Sequence, residues 1–275
     1  MKPSFFIIGE RKCGTSSLYR YLLQHPNVLP GERKEMQFFT QHSEHVRQHF
    51  ASYLQRFPDS SGEQSLHLRW PELDERGVLH EEEIHFARTK GRHYISGEAS
   101  ADTFCDADPT LLKELLPDLR LILILRDPTE RAFSHHRMFR RFATEGRDLG
   151  FAVGDFATDM QSEIRRVASG ETTPCISPSV YQHNLPRWSK IWGPALLVLF
   201  SADLGSVDRF PPLMKRVLTH LSLPSKNYTL ARRYNQAPPS LMPQAIGQQL
   251  RSFFAPYDQA LQEQLALPLP WHKAQ

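Results

Sequence analysis

Three short unbroken apolar runs stand out along the chain: Phe5 to Ile8, Leu121 to Leu125, and Ala195 to Phe200. Each has the length of a strand buried on both faces and lacks the polar alternation of a half-exposed one. A fourth strand is expected over 93–97. Between them the period changes to a helical one. Leu18, Tyr21 and Leu22 predict a helix over 15–24, and Val46, Phe50, Tyr53, Leu54 and Phe57 predict another over 44–57. Further helices are expected at 109–116, from Pro128 to about Phe142, at 155–168, 178–192 and 209–221, and near 244–264. Strands alternating with helices define an α/β fold with a central parallel sheet flanked by helices.

The breaks in the pattern are as informative. His25-Pro26 closes the first helix, because the residue before a proline is pushed out of the α region. Residues 58–80 are polar and punctuated by Pro and Gly, which predicts a surface loop of the kind that lines substrate clefts. There is no repeat and no low-complexity tract. Residues 1–275 are read as a single domain, at a length that one hydrophobic core still supports (about 250–300 residues).

Composition narrows the function. Hydrophobic residues make up 40% of the 275, which excludes a disordered or fibrous chain. With 33 Lys and Arg against 30 Asp and Glu, the net charge of +3 is too small for a nucleic-acid footprint; no nucleic-acid partner is expected, and any anion site must be local. Cys13, Cys105 and Cys175 fit neither a zinc site nor a disulfide framework, so a reducing, cytoplasmic setting is expected. The run Phe5 to Ile8 is too short for a signal-peptide core or a membrane span, so no membrane partner is expected. No D-x-D, H-E-x-x-H or C-x-x-C arrangement is present, and no metal is expected.

Two constellations carry candidate chemistry. Gly9-Glu10-Arg11-Lys12-Cys13-Gly14-Thr15-Ser16 joins the first strand to the first helix, with glycines at the interval of a phosphate-binding loop. Its lysine is displaced: Thr15 stands where a nucleotide kinase has its lysine, and Lys12 lies inside the loop. Backbone N–H groups and a helix N-terminus attract an anion there, and Lys12 neutralises it; the glycines alone also suit a plain tight turn. The second is Arg126 to Ser134, directly after the buried run 121–125, at a strand's carboxyl end where open α/β sheets bind ligands. Asp127 reads as an N-cap, Pro128 as a first-turn residue, and Arg131 and Ser134 share a helix face.

Together, residues 9–28 and 121–136 resemble the two cofactor signatures of sulfotransferases that use 3′-phosphoadenosine 5′-phosphosulfate (PAPS), in particular the heparan sulfate-type domains and their bacterial relatives. Lys34-Glu35-Met36-Gln37-Phe38-Phe39 is similar to their acidic-aromatic motif, and Gly97-Glu98-Ala99-Ser100 to the segment ahead of their second signature. The resemblance implies a P-loop-like enzyme that moves a sulfuryl group from PAPS to a hydroxyl or amine, releasing adenosine 3′,5′-bisphosphate (PAP). It implies that Arg11, Lys12, Cys13, Gly14, Thr15, Ser16 and Ser17 cradle the 5′-phosphosulfate, that Arg126 and Ser134 hold the 3′-phosphate, and that Glu35 is the base. Arg232 and Arg233 are candidate substitutes for a late cofactor-covering loop. Gln37 replaces a histidine that some relatives carry. His25, His135 and His136 are alternative bases. A saccharide acceptor is expected from the resemblance, with the 58–80 loop and the arginines of 137–147 framing a cleft. A small-molecule kinase and a non-catalytic nucleotide-binding protein of the same fold are the alternatives.

Overall fold

The computed structural model describes residues 1–58, 64–73, 79–86, 91–230 and 240–272. Its internal contacts divide the chain into two compact units. The first comprises the described residues of Met1–Glu10, Gly14–Ile124 and Arg187–Asn235. It holds a five-stranded sheet built from β1 (Phe5–Gly9), β2 (Val28–Pro30), β5 (Ile95–Glu98), β6 (Arg120–Leu125) and β7 (Leu196–Phe200), in the order β2-β5-β1-β6-β7. β1 pairs in parallel with both β5 and β6, and β2 pairs in parallel with β5. The central β1 is buried along its whole length, as its unbroken apolar run requires. Gly97 sits opposite Phe5, and a Cβ there would fall 2.1 Å from the Phe5 carbonyl oxygen, so this register demands glycine.

Helices α1 (Thr15–Leu23), α2 (Ser43–Leu54), α3 (Thr103–Asp106), α4 (Pro109–Leu115), α7 (Leu185–Trp192), α8 (Ser201–Leu204) and α9 (Phe210–His220) belong to this unit, save the first two residues of α7. Trp188 and Trp192 of α7 are buried and donate their indole N–H groups to the Phe104 and Pro109 carbonyls, which makes them core residues. The expected loop over 58–80 is corrected at its described residues, where β3 (Gln64–Leu73) pairs antiparallel with β4 (Leu79–Phe86) as a hairpin; residues 59–63 and 74–78 of that loop lie outside the described ones. The hairpin's signal was a short period-two stretch: Leu68 and Trp70 are buried, while His67 and Arg69 are exposed. The Arg20 guanidinium stacks 3.5 Å above the Trp70 ring, and the Trp70 indole N–H donates to Glu82 at 3.0 Å, which fastens the hairpin to α1.

The second unit comprises the described residues of Arg11–Cys13, Leu125–Pro186 and Gln236–Gln275. Its helices α5 (Pro128–Thr144), α6 (Phe156–Ala168) and α10 (Gln244–Leu265) enclose a core of Ala132, Phe133, Met160, Ile176, Val180, Ile246, Leu250 and Phe254. Asp127 caps α5 by accepting from the Thr129 and Glu130 amides, as expected. The expected helix over 178–192 is corrected: two 3₁₀ turns, Ser177–Ser179 and Tyr181–His183, precede α7. Pro178 and Pro186 lack the N–H groups that a continuous helix over this stretch would use. Among the described residues no helix is long and apolar enough to cross a membrane.

Candidate functional site

Arg11, Lys12 and Cys13, the middle of the phosphate loop, belong to the second unit. Lys12 adopts φ 69°, a left-handed conformation that is strained for a non-glycine residue. Two arginines grip the loop's carbonyls: Arg131 Nη1 donates to the Arg11 oxygen at 3.2 Å, and Arg126 Nη1 to the Lys12 oxygen at 3.3 Å. Arg131 is wholly buried and also donates to Ser179 Oγ (2.7 Å), the Cys175 carbonyl (2.8 Å) and His135 Nδ1 (3.2 Å). Tyr181 donates its hydroxyl to the Arg126 carbonyl at 2.8 Å and lies 3.8 Å from Cys13 Sγ. Carbonyls thus hold two guanidinium groups in place against the loop.

The charge left over is positive. Burial first, then Arg141, Arg126 and Arg131, push the Lys12 ammonium down to about 8. Among the described residues the Lys12 ammonium has no hydrogen-bond or carboxylate partner. Arg126 has one carboxylate partner, Glu130 at 3.3 Å, in a partly exposed pair, besides the Lys12 carbonyl. Ser134 is half-buried, and its hydroxyl likewise has no partner among the described residues. A crowded, partly dehydrated ammonium with no partner among the described residues fits an anionic ligand.

Thr15, Ser16 and Ser17 open α1 in the first unit, with Thr15 buried and the two serines half-buried. Gly14, at φ 104°, is the N-cap; no side chain caps this helix and no acid lies in its first turn, whereas α4, α5 and α6 are each capped by an aspartate. The amides of Thr15 and Ser16 at this uncapped helix start suit an anion.

Glu35 belongs to the same unit. Its carboxylate is ion-paired with Lys34, whose side chain is fully buried and also donates to the Ala99 carbonyl at 3.3 Å. The hairpin and the end of β5 hold the segment on two sides. The Lys34 amide donates to the Arg69 carbonyl at 3.0 Å and the Arg69 amide to the Glu32 carbonyl at 2.9 Å, while the Ala99 amide donates to the Lys34 carbonyl at 2.8 Å. Gln37 adopts φ 50° and donates its carboxamide to Asp102 at 2.9 Å.

The histidines read differently. His25 Nδ1 accepts from the Asn27 amide, so Nε2 carries the proton and donates to the Pro224 carbonyl at 3.1 Å; this is a neutral ring that ends a helix. His135 is buried, accepts from Arg131, and is held well below the usual imidazole range by burial and then by Arg131. His136 is buried against Asp159 at 2.8 Å. Glu35, partly exposed, suits a base better than these three. Arg232 and Arg233 lie outside the described residues. Sequence reasoning missed Arg131, Tyr181, Lys34 and Glu98 as site-building residues. Arg131 carried a signal in its place three residues before Ser134, and Lys34 and Glu98 carried one in the motifs at 34–39 and 97–100; the contact of Tyr181 with Arg126 carried none.

Fold and site together define an α/β protein with a phosphate-type loop and a cationic anchor for an anion. The model of the sulfotransferase family matches residues 3–178, and the chain belongs to that family. It is 25% identical over 242 residues to human bifunctional heparan sulfate N-deacetylase/N-sulfotransferase 3, covering 85% of this chain and 24% of that protein. It is 32% identical over 165 residues to human carbohydrate sulfotransferase 15, covering 50% of this chain and 27% of that one. The chain thus spans about a quarter of the length of these relatives. The crystal structure of a sulfotransferase from Alicyclobacillus acidocaldarius shares the fold, with a TM-score of 0.65, 21% identity and 98% of each chain covered. Membership of this family, with Thr15 where a kinase has its lysine, sets the chain apart from the small-molecule kinase alternative in family.

Proposed function

We propose that this chain transfers the sulfuryl group of PAPS to a hydroxyl or amine of a saccharide and releases PAP. The observation that carries the reading is the Lys12 ammonium, without a hydrogen-bond or carboxylate partner among the described residues and pushed down to about 8 by burial and by neighbouring arginines. Lys12 supplies positive charge where negative charge develops on the leaving phosphate oxygen, the place where a fixed charge contributes most to rate. Thr15, Ser16 and Ser17 offer first-turn amides and hydroxyls to the 5′-phosphosulfate, and Arg126 and Ser134 take the 3′-phosphate. Glu35 accepts the proton that the acceptor loses as its oxygen or nitrogen bonds to sulfur and the bond from sulfur to the phosphate oxygen breaks. Lys34 orients that carboxylate.

The saccharide assignment is supported by the names of the relatives, a heparan sulfate N-sulfotransferase and a carbohydrate sulfotransferase. A reducing compartment, the cytoplasm, is proposed on the three thiols, of which Cys13 and Cys175 are buried. The test is PAP release with PAPS and a panel of sugars, phenols and aliphatic alcohols. Sugars are expected to be sulfated, and Glu35→Gln is expected to lower kcat by about 10²–10⁴ while PAP binding survives. Wild-type turnover by Glu35→Gln removes Glu35 as the base. Sulfation of phenols or alcohols alone removes the saccharide.

A further inference from the structure

The segment that carries Glu35 is moulded by a buried carboxylate, Glu98, at the end of β5. Glu98 is 2% exposed. Its Oε2 accepts from the Met36 amide at 3.0 Å and from Ser100 Oγ at 2.8 Å, and its Oε1 accepts from the Tyr53 hydroxyl at 2.7 Å. Ser100 Oγ in turn accepts from the Gln37 amide at 2.9 Å. The two amides that follow Glu35 therefore end on Glu98, one directly and one through a hydroxyl. The Ala99 amide, next to Glu98, holds the Lys34 carbonyl from the other end.

A core this apolar does not keep a carboxylate for stability. Burying an ionised carboxyl is costly, and three neutral donors repay it only in part. Burial pushes Glu98 up, and the nearby charge of Glu35 pushes it the same way. Each of those donors instead fixes a backbone or side chain next to the proposed base. Tyr53 ties Glu98 to α2 and stacks on Phe38, with ring centroids 4.2 Å apart, so the aromatic half of the Lys34–Phe39 motif is locked by the same group.

We infer that Glu98 is a positioning residue for sulfuryl transfer: through Met36, Ser100 and Tyr53 it sets the orientation of the loop from which Glu35 takes the acceptor's proton. The inference rests on the proposed role of Glu35. Glu98→Gln keeps the shape but replaces one acceptor oxygen by a donor, which opposes the Met36 amide or the Tyr53 hydroxyl. It is expected to lower kcat by about 10–100-fold, the scale of a misplaced catalytic group, with the KM for PAPS and the Kd for PAP changed less than about twofold.

The decisive measurement repeats Glu98→Gln in the Glu35→Gln background. If Glu98 acts through Glu35, the second substitution changes kcat less than about threefold there, because positioning an absent base has no further value. Equal losses in both backgrounds, or a folded Glu98→Gln enzyme with wild-type kcat, overturn the inference. Should Glu98→Gln fail to fold, Ser100→Ala, which cuts only the relay from Gln37, takes its place with an expected loss of about 3–10-fold and the same non-additivity. Failure of the functional reading is seen separately, as an absence of PAPS-dependent turnover in the wild type.

Discussion

Lys12 shows how one side chain trades stability for binding. Its folded value of about 8 lies below the 10.5 of an unperturbed lysine. Below pH 8 both folded and unfolded forms are charged, and the folded state bears the full cost of a crowded, partly buried ammonium. Between the two values the unfolded chain binds more protons, so stability rises with pH and then levels off. Lys12→Met is therefore expected to stabilise the ligand-free protein at pH 7, by up to about 3 kcal/mol in urea melts, and to flatten the rise between pH 8 and 10. An anion on Lys12 favours its protonated form. PAP affinity measured by calorimetry is expected to be level below pH 8 and to fall by up to about tenfold per pH unit above it. Constant affinity from pH 7 to 10 removes Lys12 as the anchor. Arg131 makes the contrasting case. It is buried and donates to two carbonyls, a hydroxyl and an imidazole, so Arg131→Met is expected to cost more than about 3 kcal/mol by stranding those acceptors.

At the level of elements, the β3–β4 hairpin is the piece whose loss the site feels soonest. It is held to α1 by Trp70, Arg20 and Glu82, and it holds Glu32 and Lys34 through two backbone hydrogen bonds with Arg69. Trp70→Ala is expected to leave the sheet folded but to speed hydrogen exchange at the Lys34 and Arg69 amides by at least about tenfold. Turnover falls with it while PAP affinity stays. Unchanged exchange at Lys34 would show that β5 alone holds the base. This hairpin was illegible in the sequence for a physical reason: its alternation spans only a few residues, and its flanks have the Pro, Gly and charge content of a loop. β1 and β6 were legible because both faces of each are buried, which leaves an unbroken apolar run. The phosphate loop, Arg126 and Glu35 could be proposed from the sequence because residue type and local order carry the chemistry they suggest. The contacts that Arg131, Tyr181 and Glu98 make with residues 120, 55 and 62 positions away were not legible, because no local pattern encodes such pairings.

For the whole molecule, the ligand's phosphates are the test. Net charge is only +3, yet Lys12, Arg126, Arg131 and Arg141 act on one another within a single unit. The favourable field is therefore local, and under the proposed function it is expected to select for the position of phosphates rather than for negative charge in general. PAP differs from 5′-AMP by the 3′-phosphate alone and matches ADP in phosphate count. At about 100 times its Kd a ligand adds about 2.7 kcal/mol, which for a chain of this size raises Tm by roughly 5–10 °C. PAP is expected to reach that shift at concentrations where ADP and 5′-AMP produce less than half of it. Arg126→Ala is expected to remove most of the difference, since a charge-assisted contact is worth about 1.5–3 kcal/mol. Arg126 also holds the Lys12 carbonyl, so Ser134→Ala serves as the cleaner companion: its hydroxyl has no partner among the described residues, and its loss is expected to weaken PAP but leave 5′-AMP unchanged. Raising salt should shrink the PAP shift by less than it shrinks binding of inorganic pyrophosphate, because partly buried contacts are screened less than exposed ones. Equal Tm shifts with PAP and 5′-AMP in the wild type would place the 3′-phosphate outside the Arg126 and Ser134 pair, and with it the assignment of that strand end to the donor.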